Sequence, residues 1–418
     1  MEKPHFSAKE TLPLFFAILI DILGFGLVYP VLTALFTSNQ SILPQSTPES
    51  LRFWYLGIGF MLYPFFMFFG SSFMGDLSDK IGRKKVILLC MAGLTLGFGL
   101  MGCGVVFSSL ALLFIGRGLS GLMAASMPVV LAVISDLSTE ENKAKHMSYV
   151  ALVQSVGFVL GPLMGGILSD TGLFRFFNFS IPFFVPSIMS LIAFAWIYFA
   201  FEETFVKKIQ AKIDFLRVFK NFYEAGKHRK IRILSLSFLL MQIAISLYLQ
   251  LILIYFRQQF DYQSAMMGIF NAYVGLWFGI GLLFVLPYMA RRFYIEKVAT
   301  VSLFVVGLAE ALVALIPFEL MLWLIAIPLA IAVQVGFTAL LTSFSNAAEK
   351  THQGWAMGIT GAIIALSFAI TGFSPNLVPV MGVLSLIFIG GILMLIAGVI
   401  MILYCKYFAS LSSPRDSK

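Results

Sequence analysis

Twelve apolar stretches of about 20 residues each constrain this chain more than any other feature. They cover 12–35, 53–74, 86–106, 109–135, 147–169, 179–201, 233–256, 264–289, 298–316, 320–345, 355–380 and 382–404. A helix needs about 20 residues to cross the hydrocarbon layer, whereas a transmembrane strand needs only about 9–11 and alternates in polarity. These stretches are too long, and too continuously rich in Leu, Ile, Phe and Gly, to be strands. The expected fold is an all-α polytopic membrane protein of twelve transmembrane helices. The first stretch has no small-residue cleavage signature after a short core, so it reads as a retained span rather than a signal peptide.

Composition excludes the alternatives. The chain is 60% hydrophobic and only 11% charged, against about 45–50% and about 25% in soluble domains. A soluble enzyme, a secreted disulfide scaffold and a disordered chain all fail that test. Cys90, Cys103 and Cys405 lie in or beside apolar runs and read as small apolar residues. His5, His146, His228 and His352 all fall in polar segments, so no metal, haem or other cofactor is expected. The net charge of +8 comes from bases in short loops between spans, which topology explains better than nucleic acid does.

Those bases orient the chain. Alternate connections carry 24 of the 28 Lys and Arg on one side, three (Arg52, Arg175, Arg257) lie on the other, and Arg117 falls inside a span. Bases concentrate on the cytoplasmic side, which places both termini there. The longest cytoplasmic connection divides the chain into a six-helix bundle over 1–201, a linker over 202–230 and a second six-helix bundle with a short tail over 231–418. The linker's FLRVFKNFYEAGKHRK mixes aromatics and bases as an amphipathic helix on the inner leaflet would. Two similar halves point to a duplicated transporter with its substrate site near the midplane.

Asp21, Arg117 and Glu310 are the charged residues within the spans, and a charge there is by default functional. Asp21 sits about 14 Å from one end of the first span, and Arg117 about 12 Å from the opposite face in the fourth. At nearly one depth, the two are expected to pair. Either Asp21 takes up and releases a proton under the control of Arg117, or the two form a static ion pair that fixes packing. Gln242 and Gln334 lie close to the midplane in the seventh and tenth spans. They either line a shared cavity or hydrogen-bond between helices. Tyr29, Tyr248, Asn271 and Trp277 are further lining candidates. Glu310, toward the outer third of the ninth span, has no evident basic partner; it is either protonated or reaches the interface.

The connection after the second span reads Gly75-Asp76-Leu77-Ser78-Asp79-Lys80-Ile81-Gly82-Arg83-Lys84-Lys85. Its glycines permit close packing and a tight turn, and Asp79 is placed to cap a helix end. This resembles the signature loop of the major facilitator superfamily at every defined position. The first span, from Asp21 through Gly24, Gly26 and Pro30, looks like the opening of the tetracycline-resistance and multidrug drug:proton antiporters. Arg117 to Gly121 is similar to that family's proton-transfer motif. Gly157, Gly161, Pro162, Gly165 and Gly166 match its antiporter motif; the glycines every fourth residue form one bare stripe that serves either helix sliding or plain packing. Glu203-Thr204, closing the sixth span, also looks like this branch.

The resemblance implies the major facilitator fold, with two pseudo-symmetric six-helix bundles. It also implies a conformational gate of Gly75, Asp79, Gly82, Arg83, Lys84 and Asp136, in which Asp79 and Arg83 join Asp136 in a charge network. The corresponding loop after the eighth span has Arg291 in place of the Asp and Tyr294 in place of the Gly, so the lock is expected on one side only. The function implied is a secondary active antiporter in the inner (plasma) membrane. It would be a monomer that exports a small amphiphilic, drug-like molecule in exchange for protons by alternating access. One rival is a metabolite or siderophore transporter of the same fold, in either direction and without proton coupling. The other is a non-transporting receptor or scaffold. An enzyme is not expected, because no span carries a nucleophile with a base at workable spacing.

Overall fold

The computed structural model describes residues 8–38, 42–124, 126–138, 142–204, 223–348 and 353–408. Most of the linker lies outside them, including the first half of the stretch expected as an amphipathic helix. Within the described residues the chain is helical, and twelve helices are long and apolar enough to cross a membrane. They are α1 (Thr11–Thr37), α2 (Glu49–Ile81), α3 (Arg83–Val106), α4 (Leu110–Ser135), α5 (His146–Ser169) and α6 (Ile181–Ala200). The series continues with α7 (Arg229–Phe260), α8 (Ser264–Arg292), α9 (Ile295–Leu315), α10 (Glu319–Ala347), α11 (Gly358–Met381) and α12 (Val383–Phe408). Each corresponds to one of the twelve apolar stretches, and α2 and α7 extend several residues past theirs at both ends.

Four spans are irregular beside prolines: α11, where the helix ends at Gly372 and a 3-10 turn covers Ser374–Leu377 ahead of Pro379, and the three that follow. Proline has no N–H to bond the carbonyl four residues earlier, so a helix opens there. In α1 the helix ends at Gly26 and restarts at Val28, ahead of Pro30. In α4 it ends at Met123, turns at Ala124 and restarts at Ser126, ahead of Pro128. In α8 a π-helical turn covers Gly281–Val285, ahead of Pro287. Each irregularity falls at or beside the carbonyl that the proline leaves unbonded.

The chain forms two compact units, one of residues 1–215 with 262–272 and the other of 216–261 with 273–418. In the first, α3 packs on α4 and α6, and α1 packs on α5 and α6. In the second, α9 packs on α10 and α12, and α7 packs on α11 and α12. Each pair recurs six spans later, as a duplicated six-helix plan requires. Cys90, Cys103 and Cys405 are free thiols. Among the described residues, no three His, Cys, Asp or Glu side chains gather where a metal ion could be held.

Candidate functional site

The break in α4 builds the centre of the first unit. With the helix interrupted at Ala124, the amides at the start of the restarted segment have no carbonyl one turn behind them, and a helix N-terminus in that state attracts an anion. Asp21, on α1, supplies it. The carboxylate is buried at 5% exposure and accepts a hydrogen bond from Ser126 Oγ, with the Met127 backbone as a further partner. Asp21 Oδ1 has no hydrogen-bond partner.

Arg117 is fully buried one helical segment earlier on α4. Its Nε donates to the Gly59 carbonyl at 3.0 Å, and its guanidinium lies 4.5 Å from the centre of the Tyr63 ring. Gly59 and Tyr63 are four residues apart on α2, as Arg117 and Gly121 are on α4, so each pair lies on one face. A side chain at Gly121 would strike the Tyr63 backbone, and that bare surface lets α2 come close enough for the bond. Nη1 and Nη2 of Arg117 have no hydrogen-bond partner.

The expected pairing of Asp21 with Arg117 is therefore corrected: no ion pair joins them. A count of residues along a span fixes an expected depth only, and not the direction in which a helix presents its side chain. Tyr63 is within electrostatic reach of both charges. Tyr29 meets Phe25 edge to face at 5.4 Å and Phe60 at a tilt at 5.1 Å, and its hydroxyl has no hydrogen-bond partner.

The antiporter-type stripe faces the acid-bearing helix. Gly157 opposes Ile22; a Cβ at Gly161 would come within 2.9 Å of the Leu23 carbonyl oxygen, and one at Gly165 would strike the Leu27 carbonyl. Pro162 packs on Gly26, and Gly166 meets Gly268 at the start of α8, the part of that helix that belongs to this unit. The stripe thus seats α1 against α5 along the stretch that includes Asp21 and the α1 break.

At the α2–α3 connection, Gly82 takes φ +106°, a conformation that favours glycine. It leaves the first amides of α3 pointing at Glu203, just past α6. Glu203 Oε1 accepts from the Arg83 amide at 3.0 Å and Oε2 from the Lys84 amide at 3.2 Å. Lys84 Nζ donates to the Tyr198 carbonyl at 2.9 Å. The cap expected of Asp79 is made instead by Glu203, because the αR segment ends before Gly82 and Asp79 lies on the wrong helix to reach forward. Gly75 has open space where a Cβ would stand, so the close packing expected there is absent. The side chain of Asp136 lies outside the described residues.

In the second unit, Glu310 is fully buried and does not reach an interface. Its carboxyl oxygens have no hydrogen-bond partner, and it lies against Gly390 and Gly391 of α12 with Tyr248 in electrostatic reach. Gln242 is buried without a hydrogen bond, and Gln334 donates to Thr338 of its own helix at 3.4 Å. The polar atoms of Asn271 and Trp277 lack partners. Sequence reasoning missed Ser126, Tyr63 and the capping role of Glu203, and also the Ser246, Gln250 and Thr371 cluster joining α7 to α11, where the two hydroxyls lie 2.7 Å apart. Pro128 was the available signal for Ser126.

A twelve-span helical chain with a repeated packing plan and buried charges on its first and fourth spans is a membrane transporter in class. The Major Facilitator Superfamily profile matches residues 14–372, and the chain belongs to that family. It is 28% identical to the class C tetracycline resistance protein of Escherichia coli over 84% of this chain and 85% of that one. It is 25% identical to the class B protein of Escherichia coli over 86% and 85%. Among solved structures, the D-xylose–proton symporter has a TM-score of 0.73 at 14% identity, covering 94% of this chain and 96% of that one. The human organic anion transporter MFSD10 has a TM-score of 0.68 at 17% identity, covering 94% and 99%. At these identities the structures show the fold alone.

Proposed function

We propose that this transporter is a proton-coupled antiporter that exports a small amphiphilic, drug-like molecule by alternating access. It would work in the inner (plasma) membrane with both termini cytoplasmic, as two six-helix bundles divided at 202–230. The observation that carries the reading is the setting of Asp21. Its carboxylate is held by a hydroxyl and a helix start and not by a guanidinium, so a proton can come and go without an ion pair having to break. Arg117, held by Gly59 and Tyr63, sets the field in which that exchange takes place. Coupling then requires that proton and cargo favour different states of the protein. The similarity to tetracycline resistance proteins over most of both chains supports a drug-like cargo. Tyr29, Gln242, Tyr248, Asn271 and Trp277 are the proposed cargo contacts, because each carries a polar group that the protein leaves unbonded, and Gln334 is proposed with them.

The unpartnered Nη atoms of Arg117 favour a second reading, a metabolite or siderophore carrier in which Asp21 and Arg117 bind the cargo itself. Everted vesicles separate the two. Proton release from energised vesicles on adding cationic or zwitterionic amphiphiles, lost in Asp21→Asn, is expected for the antiporter. Movement of labelled substrate without proton release would replace it with the carrier.

A further inference from the structure

Basic side chains gather at one end of the second unit. α7 opens with Arg229, Lys230 and Arg232, and α12 closes with Lys406, all exposed. The Arg229 guanidinium lies 5.6 Å, and the Lys230 ammonium 5.8 Å, from the centre of one ring, that of Phe408. That shared ring sets the two helix ends side by side. α9 begins in the same corner, where Thr300 Oγ1 is 3.9 Å from Cys405 Sγ and the exposed Lys297 lies over Tyr294.

The acids here do not neutralise these bases. Glu224 is committed to Lys227 at 2.7 Å, and Glu296 is buried without an ion pair. Other bases at span ends bond protein oxygens: Arg232 in this corner donates to the Gly226 carbonyl at 3.3 Å, and elsewhere Lys84 donates to the Tyr198 carbonyl and Arg52 to the carbonyls of Thr47 and Pro44. The side chains of Arg229, Lys230, Lys297 and Lys406 rest near ring faces and, among the described residues, make no hydrogen bond or ion pair. Their N–H donors remain available, and a guanidinium and an ammonium together offer a fork and a point charge suited to phosphate.

The location selects the source of that phosphate. Three spans begin or end here, so the corner lies at headgroup level, where aromatic side chains such as Tyr407 also collect. Just inside it, Ile402 and Leu403 of α12 are 48% and 47% exposed and offer an apolar surface to acyl chains. We infer that the corner formed by α7, α9 and α12 binds the phosphate of an anionic phospholipid, with Arg229 and Lys230 as its direct contacts and Lys297 and Lys406 adding charge.

Thermal unfolding of the full-length protein in neutral detergent tests this with three additives. Phosphatidylglycerol is expected to raise the midpoint, while phosphatidylcholine and inorganic phosphate leave it unchanged. In the double variant R229Q/K230Q the unfolding midpoint without lipid is expected to hold. Its apparent affinity for phosphatidylglycerol should fall about 25-fold, at about fivefold per base. The charge-keeping R229K/K230R should retain it, and K297Q/K406Q reads the same loss if the first variant does not purify. Equal stabilisation by phosphatidylcholine, an undiminished response in the glutamine variants, or a response to inorganic phosphate alone would each overturn the inference.

Discussion

Ser126 donates a hydrogen bond to Asp21 from the first position of the helix segment that restarts after the α4 break. The acid on the first span is thus positioned by a backbone irregularity of the fourth, and that irregularity traces to Pro128.

Removing that donor should matter more than its size suggests. Ser126→Ala is expected to cost about 1.5–3 kcal/mol of interaction with the carboxylate, a tenfold or larger loss of substrate-driven proton release in everted vesicles. Ser126→Thr keeps the hydroxyl and should keep most of the activity. Equal loss in both variants would show that shape, and not the hydrogen bond, is what the site requires.

Arg117 and Tyr63 form a cation–π pair between two buried side chains. Tyr63→Leu should lower stability by about 2 kcal/mol, while Tyr63→Phe keeps the ring face and should lie close to the parent. The midpoints of thermal unfolding in detergent compare them. A Phe variant as unstable as the Leu variant would assign the effect to the hydroxyl.

The glycine stripe on α5 makes a graded prediction. Gly165→Val drives a side chain into the Leu27 backbone and should destabilise by about 1–3 kcal/mol or more. Gly75→Ala meets no atom within 4 Å and should stay within about 0.5 kcal/mol of the parent. Both follow from thermal unfolding, and a Gly165→Val protein as stable as the parent would mean that α1 and α5 separate at little cost.

Gly82 and Glu203 should be coupled. Glu203→Ala removes the cap on α3, worth about 1 kcal/mol. Gly82→Ala strains the backbone and pushes a methyl into the same carboxylate, costing about 1–3 kcal/mol. In the double variant the two losses should fall short of additive, since the alanine at 82 already displaces Glu203. A double-mutant cycle on unfolding free energies reads this directly.

The twelve spans were legible because bilayer thickness fixes their length, whatever the packing. Depth follows from counting residues along a span, which is why Asp21 and Arg117 were expected at one level. What the apolar pattern lacked was azimuth: in helices apolar on nearly every side, nothing marks which face meets which neighbour. Arg117 therefore found Gly59 and Tyr63 on α2, partners with no charge to announce them. Glu203 shows another limit, since its role as cap depends on the end of α6 returning to the start of α3 across some 120 residues. The prolines were readable as breaks, and reading Pro128 that way would have led to Ser126.

The bond between Asp21 and Ser126 also has a history in time, because 105 residues separate its two ends. At about 5–20 residues per second, a ribosome needs roughly 5–20 s to make that stretch. The acid-bearing span is therefore synthesised well before its hydroxyl donor exists, and before the glycine stripe that seats it. During that interval α2 and α3 are made, but the carboxyl group of α1 still lacks its hydroxyl donor and helix start. Membrane integration of this protein is consequently a matter of holding an early, imperfect segment until its fourth and fifth neighbours arrive, and variants that slow translation after α1 prolong its exposure.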